Sequence, residues 1–321
     1  MKLSRIALVA LLFTIPAFAE EATFDRTLKV TGPVDLEVVT GSGHIYVRSG
    51  AAGTITVHGI VKESCCNIFS NSDPNAIKSI VDNPPIEQSG NTVRIGHLGE
   101  SQRYNNISVS YELVVPSDTK LLSKTGSGAQ EISGIAGSAE VQSGSGGLKI
   151  GDIGGAVRAK TGSGSIMLSN IGGSVTAHTG SGSIRGDGLS SSSSPARAGV
   201  ADNGFAASSA GYFDFQTGSG SIRISGLRGA VRAHTGSGHI ELDGQPTGDW
   251  RLNTGSGGIT LRLPAQAAFE LNAHTSSGSI HTNRQLTIQG TTGRHDLRGT
   301  VNGGGGIRLD LSAGSGSIEI D

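Results

Sequence analysis

Residues 124–185 read KTGSGAQEISGIAGSAEV, QSGSGGLKIGDIGGAVRA, KTGSGSIMLSNIGGSVTA and HTGSGSIR. Three complete units follow one another at an interval of 18 residues, and each unit contains TGSG or SGSG near its start. A fixed period of this length is the signature of a repeat architecture. Copies of the tetrapeptide begin at Thr40, Thr125, Ser143, Thr161, Thr179, Thr217, Thr235 and Thr254, with weaker copies at Thr275, Asn302 and Ala313.

Each repeat predicts two short strands. In one unit, Val157 and Ala159 precede the tetrapeptide and Ile166 and Leu168 follow it, with a polar or flexible side chain inside each pair. Alternation with period 2 is typical of a strand that buries one face. The glycine-rich tetrapeptide separates the two strands at one side of the repeat, and a Gly-Gly pair separates them at the other.

Two strands per repeat predict an all-β fold, a β-solenoid with stacked turns of ~18 residues and undetermined handedness. An antiparallel meander has the same alternation, but it does not require the same turn at the same place in every repeat. Stacked turns require small residues at the shared corner, where glycine also supplies positive φ at no steric cost. Aromatic residues make up only 4% of the chain, as a thin core requires.

The first 19 residues, MKLSRIALVALLFTIPAFA, predict a secretory signal peptide. Lys2 and Arg5 form the basic start, Ile6 to Phe18 form the apolar run, and Ala17-Phe18-Ala19 resembles a cleavage site. We therefore expect an exported protein, in the periplasm or at the cell surface, with no transmembrane segment in the mature chain. Removal of Lys2 and Arg5 changes the formal net charge from −1 to −3, without a basic block, so nucleic acid is not an expected partner.

The mature chain divides into two predicted regions. Residues 20–123 form an N-terminal cap and the first β turns, with an irregular excursion at 62–106, or alternatively a small separate β domain. Within this region we expect a short helix near 75–81 and strands at 92–95 and 107–115. Residues 124–321 form the repeat solenoid, interrupted by a serine-rich loop at 187–210, which is either a flexible surface loop or a glycosylated or partner-binding protrusion.

Cys65 and Cys66 are candidates for a disulfide. Their Cα atoms are about 3.8 Å apart as chain neighbours, which is shorter than an ordinary disulfide prefers. In an exported protein they form a strained vicinal bridge, pair with another chain or stay free. The pair alone has too few ligands for a metal site.

Several segments together resemble the bacterial "putative adhesin" family. These are the predicted signal peptide, the repeated TGSG-Ile, the SYELVVP segment at 110–116 and the ending VNGGGGIRLDLSAGSGSIEI at 301–320. The likeness covers essentially the whole mature chain. It implies an exported β-strand-repeat protein of the cell envelope with no known activity and no known catalytic residues.

Glu241 and Asp243 are the strongest pair of carboxylates in the repeats. They lie two residues apart on one predicted strand face, roughly 6.5–7 Å from each other, which suits an acid–base pair. Arg223 and Arg262 occupy equivalent places in the neighbouring repeats. The arginines therefore favour a solvated ladder of salt bridges over a catalytic site.

His178, His234 and His274 share one outward position in the strands before the tetrapeptide. Gln216 separates the first two, which places their imidazoles nearly 10 Å apart at the ordinary strand spacing, too far for one metal ion. We interpret this column as a polar face or a weakly pH-sensitive surface, and we predict no metal, cofactor or catalytic residue.

These features favour a non-enzymatic envelope protein. It would be an adhesion-like scaffold that binds an envelope or extracellular polysaccharide, a protein partner or further copies of itself. The alternative is a polysaccharide-processing β-solenoid enzyme, a lyase or hydrolase, which would need clustered carboxylates and aromatic platforms in a groove. The one tryptophan, Trp250, falls instead in the inward column.

Overall fold

The computed structural model describes residues 21–63, 74–97, 107–190, 211–288 and 293–321. These residues are mostly β structure in one 25-stranded sheet with many parallel pairings, which confirms an all-β, solenoid-like fold. We call the TGSG turn of each repeat its corner. The strands before the corners form the first stack, and the strands after them form the second stack.

The strands fall into five groups by position. The first stack contains β2 (Val34–Thr40), β8 (Thr119–Thr125), β10 (Ala139–Ser143), β12 (Val157–Thr161), β14 (Val175–Thr179), β16 (Tyr212–Thr217), β20 (Phe269–Thr275) and β24 (Arg308–Ala313). The second stack contains β3 (Ile45–Gly50), β9 (Gln130–Ser133), β11 (Leu148–Ile153), β13 (Ile166–Ile171), β15 (Ile184–Leu189), β19 (Ile259–Arg262), β21 (Ile280–Thr282) and β25 (Ile318–Ile320). Two long strands run through both stacks, β17 (Ile222–Thr235) and β18 (Ile240–Thr254). The N-terminal end adds β1 (Glu21–Lys29), β4 (Thr54–Glu63), α1 (Pro74–Asp82), β5 (Ile86–Ser89), β6 (Thr92–Ile95) and β7 (Ile107–Pro116). A hairpin of β22 (Leu286–Ile288) and β23 (Asp296–Val301) lies near the C-terminal end.

The repeats stack in parallel and in register. Thr161 aligns with Thr179, one 18-residue period further along the chain. Thr179 then aligns with Thr217, so the intervening serine-rich segment does not disturb the pairing of the flanking strands. Apolar side chains at alternate positions of both stacks form one continuous buried cluster. It includes Trp250, which is fully buried and whose indole N–H donates to the Gly229 carbonyl oxygen at 2.8 Å.

The corner glycines are required by close stacking. A Cβ atom built on Gly146 would lie 1.7 Å from the carbonyl oxygen of Gly128, the equivalent glycine of the preceding corner. The same contact would be 2.0 Å between Gly164 and Gly146. None of these three glycines has a positive φ. The expectation that corner glycines supply positive φ is therefore wrong. The expectation that stacking requires small residues at the corner is confirmed, since each corner lies too close to the next to admit a side chain.

Positive φ occurs at the opposite end of the repeat instead. Asp152 and Asn170 have φ of 55° and 51°, and Gly188 and Gly226 follow in the next repeats with 63° and 64°. Short polar side chains and glycine tolerate this left-handed conformation better than other residues do. The turn lets the next residue, such as Ile153, point into the core.

A ladder of buried hydroxyl groups links successive corners. The Thr161 hydroxyl donates to the Gly146 carbonyl oxygen of the preceding corner at 2.9 Å and accepts from the Gly164 N–H at 3.2 Å. The same two bonds recur at Thr125, Ser143, Thr179, Thr217, Thr235, Thr254 and Thr275. Each hydroxyl therefore satisfies one carbonyl and one amide group that the corner would otherwise bury without a partner.

Thr161→Val is expected to lower the free energy of unfolding by about 1–3 kcal/mol, because the isosteric side chain leaves the Gly146 carbonyl and the Gly164 amide unpaired. Equilibrium denaturation in urea measures the change. Thr161→Ser keeps the hydroxyl and is expected to retain most of the stability. An equal loss in the two variants would contradict a role for the hydrogen bonds.

The C-terminal repeat does not stack in sequence order. β24 lies between β18 and β20 in the first stack, and β25 lies between β19 and β21 in the second. The expectation that each turn lies on the previous one is therefore wrong at this end. The repeat that comes last in the sequence, with its corner at Ala313, lies in space between the repeats whose corners begin at Thr254 and Thr275.

The weak copy at Asn302 is not a corner, and this expectation is also wrong. Asn302, Gly303, Gly304 and Gly306 all have positive φ, and they join β23 to β24. β23 is antiparallel to β20, so the chain reverses here and then enters the first stack. Glycine is needed at these positions for its left-handed conformations.

The N-terminal strands extend both stacks. β2 and β3 pair with β8 and β9, although about 80 residues separate them along the chain. β6 pairs with the outer side of β2, and β7 pairs with β3, followed by β4 and β1 in antiparallel order. The predicted helix and the two predicted strands of this region are confirmed as α1, β6 and β7. The division into cap and excursion stays a prediction.

Several predicted segments lie outside the described residues. They are the signal peptide at 1–19, the cysteine pair Cys65 and Cys66, and residues 191–210 of the serine-rich loop. No helix in the described ranges combines the length and the apolar character that crossing a membrane requires.

Candidate binding face

The three predicted histidines lie on the outward side of the first stack. We call the part of this side from β12 to β20 the histidine face. Two rows of side chains cross it, because the corners hold every strand in the same register. The row next to the corners contains Lys160, His178, Gln216, His234, Asn253, Ser312 and His274. The row two residues earlier contains Arg158, Thr176, Asp214, Arg232, Arg251, Asp310 and Asn272.

The order of the rows differs from the sequence order at one end. His178 and His234 flank Gln216, as the repeat spacing predicts. Ser312 lies between Asn253 and His274, because β24 is inserted there. His274 is therefore further from His234 than sequence order implies. Its Nδ1 atom lies 2.8 Å from Asp296 Oδ1 on β23.

Two adjoining hollows follow these rows. The larger, of about 520 Å³, is lined by Arg232, His234, Arg251, Asn253, His274 and Asp310 among others. The smaller, of about 380 Å³, is lined by Lys160, His178, Gln216 and His234 together with the neighbouring corners. His234 lines both, so the two hollows are neighbours on this face, and both are open to solvent.

Asp214 is the best-enclosed charge near the smaller hollow. Its side chain is 17% exposed, with His178 Nε2 3.8 Å from Oδ2 and the Gln216 amide donating to Oδ1 at 3.2 Å. Burial raises the pKa of Asp214, but the neighbouring His178, Gln216 and Arg232 together lower it by more, so the net shift is downward. Asp214 is thus held as a carboxylate at neutral pH.

The arginines of the second row remain available to solvent. Arg251 Nη2 lies 3.7 Å from Asp310 Oδ2, and 58% of the Arg251 side chain is exposed. Arg232 lies in register beside it on β17. Tyr212, whose side chain is half-exposed, precedes Asp214 by two residues on the same strand. The face therefore combines fixed cations, hydrogen-bonding amides and one exposed aromatic ring.

Glu241 and Asp243 lie on the outward side of the second stack, away from the histidine face. Glu241 accepts from Arg223 Nε and Arg262 Nη1, each at 2.5 Å. Hydrogen bonds from Arg223 and then from Arg262 hold the pKa of Glu241 below its usual value. A carboxylate that stays ionised in this way is poorly suited to donate a proton. In this row Glu319 lies between Thr260 and His281, again because the C-terminal repeat is inserted.

Glu241→Gln is expected to lower the free energy of unfolding at pH 7 by about 1 kcal/mol or less, because its arginine partners are largely exposed. The folded-state pKa of Glu241 is lower than its unfolded value of about 4.3. The difference from wild type should therefore be full above about pH 5 and disappear as the pH falls through the folded-state pKa. Denaturation at a series of pH values tests this, with Glu319→Gln as the control. A difference that grew in acid would contradict it.

Among the residues that the structure describes, no three His, Cys, Asp or Glu side chains come together as a metal ion would require. The histidines of the face each lie near amides, hydroxyls or a single carboxylate. Cys65 and Cys66 lie outside those residues.

The repeat spacing predicts the histidine row, whereas Tyr212, Asp214, Arg251 and Asp310 join the face only in the structure. The period-2 alternation contained the necessary signal, since a residue two positions before an outward histidine must also point outward. The hollows themselves have no sequence signal, because their walls come from strands far apart in the chain.

Residues 86–321 match the family model described as Toastrack DUF4097. The chain belongs to this family. The match covers the two stacks from β5 onward, and the resemblance to bacterial "putative adhesin" proteins is confirmed. A comparison with curated proteins finds no match.

Three solved structures are similar to this Toastrack DUF4097 protein. One is a "putative cell adhesion protein" from Clostridium sporogenes, with 11% identity, a TM-score of 0.22 and coverage of 94% of this chain and 99% of that chain. The second is a "putative adhesin" from Bacteroides fragilis, with 11% identity, a TM-score of 0.37 and coverage of 94% and 97%. The third is a "putative lipid binding protein" from Parabacteroides distasonis, with 12% identity, a TM-score of 0.42 and coverage of 92% and 96%.

Proposed function

We propose that this protein is a non-enzymatic scaffold of the bacterial envelope whose histidine face binds an extended surface polymer. The observation that carries the proposal is the pair of hollows that meet at His234. They lie one after the other along the direction in which the strands stack, and charged and hydrogen-bonding side chains border each of them. Two hollows in a row suit a linear ligand better than a compact one.

The stacking of repeats supports this function. Seven strands carry the two rows of the face. At the usual strand spacing these rows extend over roughly 29 Å. Backbone pairing fixes the interval between neighbouring side chains, so the rows are preorganised for a ligand with its own regular repeat. The predicted signal peptide at 1–19 would bring this surface into contact with envelope polymers.

The geometry gives less support to a polysaccharide-processing enzyme. The carboxylate pair proposed for catalysis, Glu241 and Asp243, lies on the face opposite the hollows. Glu241 is also held between two arginines. On the histidine face, Asp214 is kept ionised and Asp310 is engaged by Arg251 and Asn272. Neither arrangement provides a protonated acid next to a free base.

The test compares the two outward faces with matched variants. Purified residues 20–321 are titrated with a panel of envelope and extracellular polysaccharides, and each mixture is assayed for new reducing or unsaturated ends. Lys160→Ala with His234→Ala on the histidine face is expected to weaken binding at least tenfold. Lys149→Ala with His281→Ala, on the second stack, is expected to leave binding unchanged.

Three results would overturn the proposal. Equal loss of binding in both double variants would remove the histidine face from the function. Formation of cleavage products that depends on Glu241 or Asp243 would instead support an enzyme. Failure of every polymer to bind would favour a protein partner or self-association as the role of the scaffold.

A further inference from the structure

We propose that the larger hollow binds a carboxylate-bearing sugar of a linear polysaccharide, with Arg232 and Arg251 holding the carboxylate. This inference rests on the proposed function, since it specifies the chemistry of the polymer. It assigns the anionic group to the second row of the histidine face and the sugar hydroxyls to the row next to the corners.

The two arginines lie side by side on neighbouring strands. Arg232 and Arg251 are in register on adjacent parallel strands, and both line the larger hollow. Adjacent strands are about 4.8 Å apart, so the two guanidinium groups can reach one planar anion. Arginine binds carboxylates through parallel N–H donors in a fixed fork. The ion pair of Arg251 with Asp310 is long, at 3.7 Å, and leaves most of its side chain exposed.

The other walls of the hollow combine hydrogen-bonding groups with one carboxylate. Asn253 and Ser312 provide neutral donors and acceptors, as sugar hydroxyls require, and the His274 ring adds a further hydrogen-bonding group. Asp310 adds a negative charge within the same hollow. That carboxylate would repel any negative charge beyond the one that the two arginines neutralise, so a polymer with a dense charge, such as a polyphosphate, fits the hollow less well than one with a single charge per unit. A sugar with one carboxylate among several hydroxyls matches both kinds of wall.

An aromatic ring, that of Tyr212, lies next to Arg232. Tyr212 is 46% exposed, aligns with Ala230 on the neighbouring strand and lies beside the larger hollow, outside its lining. Burial and the nearby Asp214 raise the pKa of Tyr212 against the opposing effect of Arg232 and Arg251, so the hydroxyl is neutral at pH 7. An apolar ring with a polar tip suits the apolar face and hydroxyl edge of a sugar.

A linear ligand bound in the larger hollow would also reach the smaller hollow. Lys160 lies three strands from His234, across His178 and Gln216. At the usual strand spacing this distance is roughly 14 Å. A linear chain with regularly spaced carboxylates could therefore meet a second cation here. Only the larger hollow has two arginines in register, so it should contribute most of the selectivity for carboxylates.

The experiment uses polygalacturonate and its methyl-esterified form, in which a methyl ester removes the charge of the carboxyl group, together with dextran and polyphosphate. Isothermal titration calorimetry is expected to show binding of polygalacturonate at least tenfold tighter than of the ester. Arg232→Gln with Arg251→Gln is expected to remove this preference. Arg185→Gln, on the outward side of β15, is the control and should retain it. Thermal unfolding of each variant verifies that the fold is intact.

The outcomes separate the two proposals. Equal binding of polygalacturonate, its ester and dextran would overturn the carboxylate site and leave the polymer-binding function in place. Binding of polyphosphate as tightly as polygalacturonate would also overturn it. A preference that persists in the double arginine variant would place the carboxylate elsewhere. No binding of any of the four polymers would overturn the carboxylate site, and the broader panel above would then decide the proposed function.

Discussion

Gly146→Ala is expected to lower the free energy of unfolding by more than about 3 kcal/mol, because the new methyl group enters a space already filled by backbone. The Cβ atom would lie 1.7 Å from the Gly128 carbonyl oxygen and 2.4 Å from its carbon. Neither atom can move without breaking the stacking of two corners. Equilibrium denaturation followed by circular dichroism measures the loss.

The adjacent glycine provides a matched control. A Cβ on Gly147 would meet only the Ser165 carbonyl oxygen, at an ordinary contact distance of 3.6 Å, and its φ is not in the left-handed region. Gly147→Ala is therefore expected to change stability by less than about 1 kcal/mol, with stabilisation possible through the unfolded chain. Similar losses in both variants would show that glycine acts there through chain flexibility and not through close stacking.

Removal of residues 304–321 is expected to unfold the turn formed by β20 and β21, although this turn precedes the deletion in sequence. β24 and β25 lie between that turn and the rest of the two stacks. The deletion also removes Leu309, Leu311, Ile318 and Ile320, all of which are buried. Each such side chain contributes roughly 1.5–3 kcal/mol. Amide hydrogen exchange in β20 should accelerate at least 100-fold, while β12 keeps its protection.

A point substitution at the same place checks this prediction without shortening the chain. Leu311 is 2% exposed and aligns with Leu252 and Ala273 in the adjacent strands, so Leu311→Ala should cost about 2–5 kcal/mol. Ile288, which is 52% exposed on β22, is the control, and Ile288→Ala should have little effect. Retained protection of β20 in the truncated chain would mean that the turn docks directly on β18, as sequence order implies.

Some features of the candidate site follow from the sequence of each strand alone, and others depend on how the repeats stack. The outward direction of His178, Glu241 and Arg223 follows from period-2 alternation, a property of any strand. The salt bridge of Glu241 with Arg223 also follows, because it joins consecutive repeats at the same position, whereas Arg262 aligns with Asp243 and reaches Glu241 diagonally. The position of Ser312 beside His274 does not follow, since it depends on which repeat stacks on which.

The sequence by itself determined that the chain forms stacked two-stranded turns with a small-residue corner and an apolar interior, because the tetrapeptide and the alternating apolar residues recur in every repeat. It also determined which side chains point outward. Only the tertiary structure decided the order of the C-terminal turns, the φ angles of the corner glycines and the hollows of the histidine face. Every repeat offers nearly the same edge to its neighbours, so the local pattern cannot select among them. That selection depends on long-range packing, such as the fit of β24 between β18 and β20.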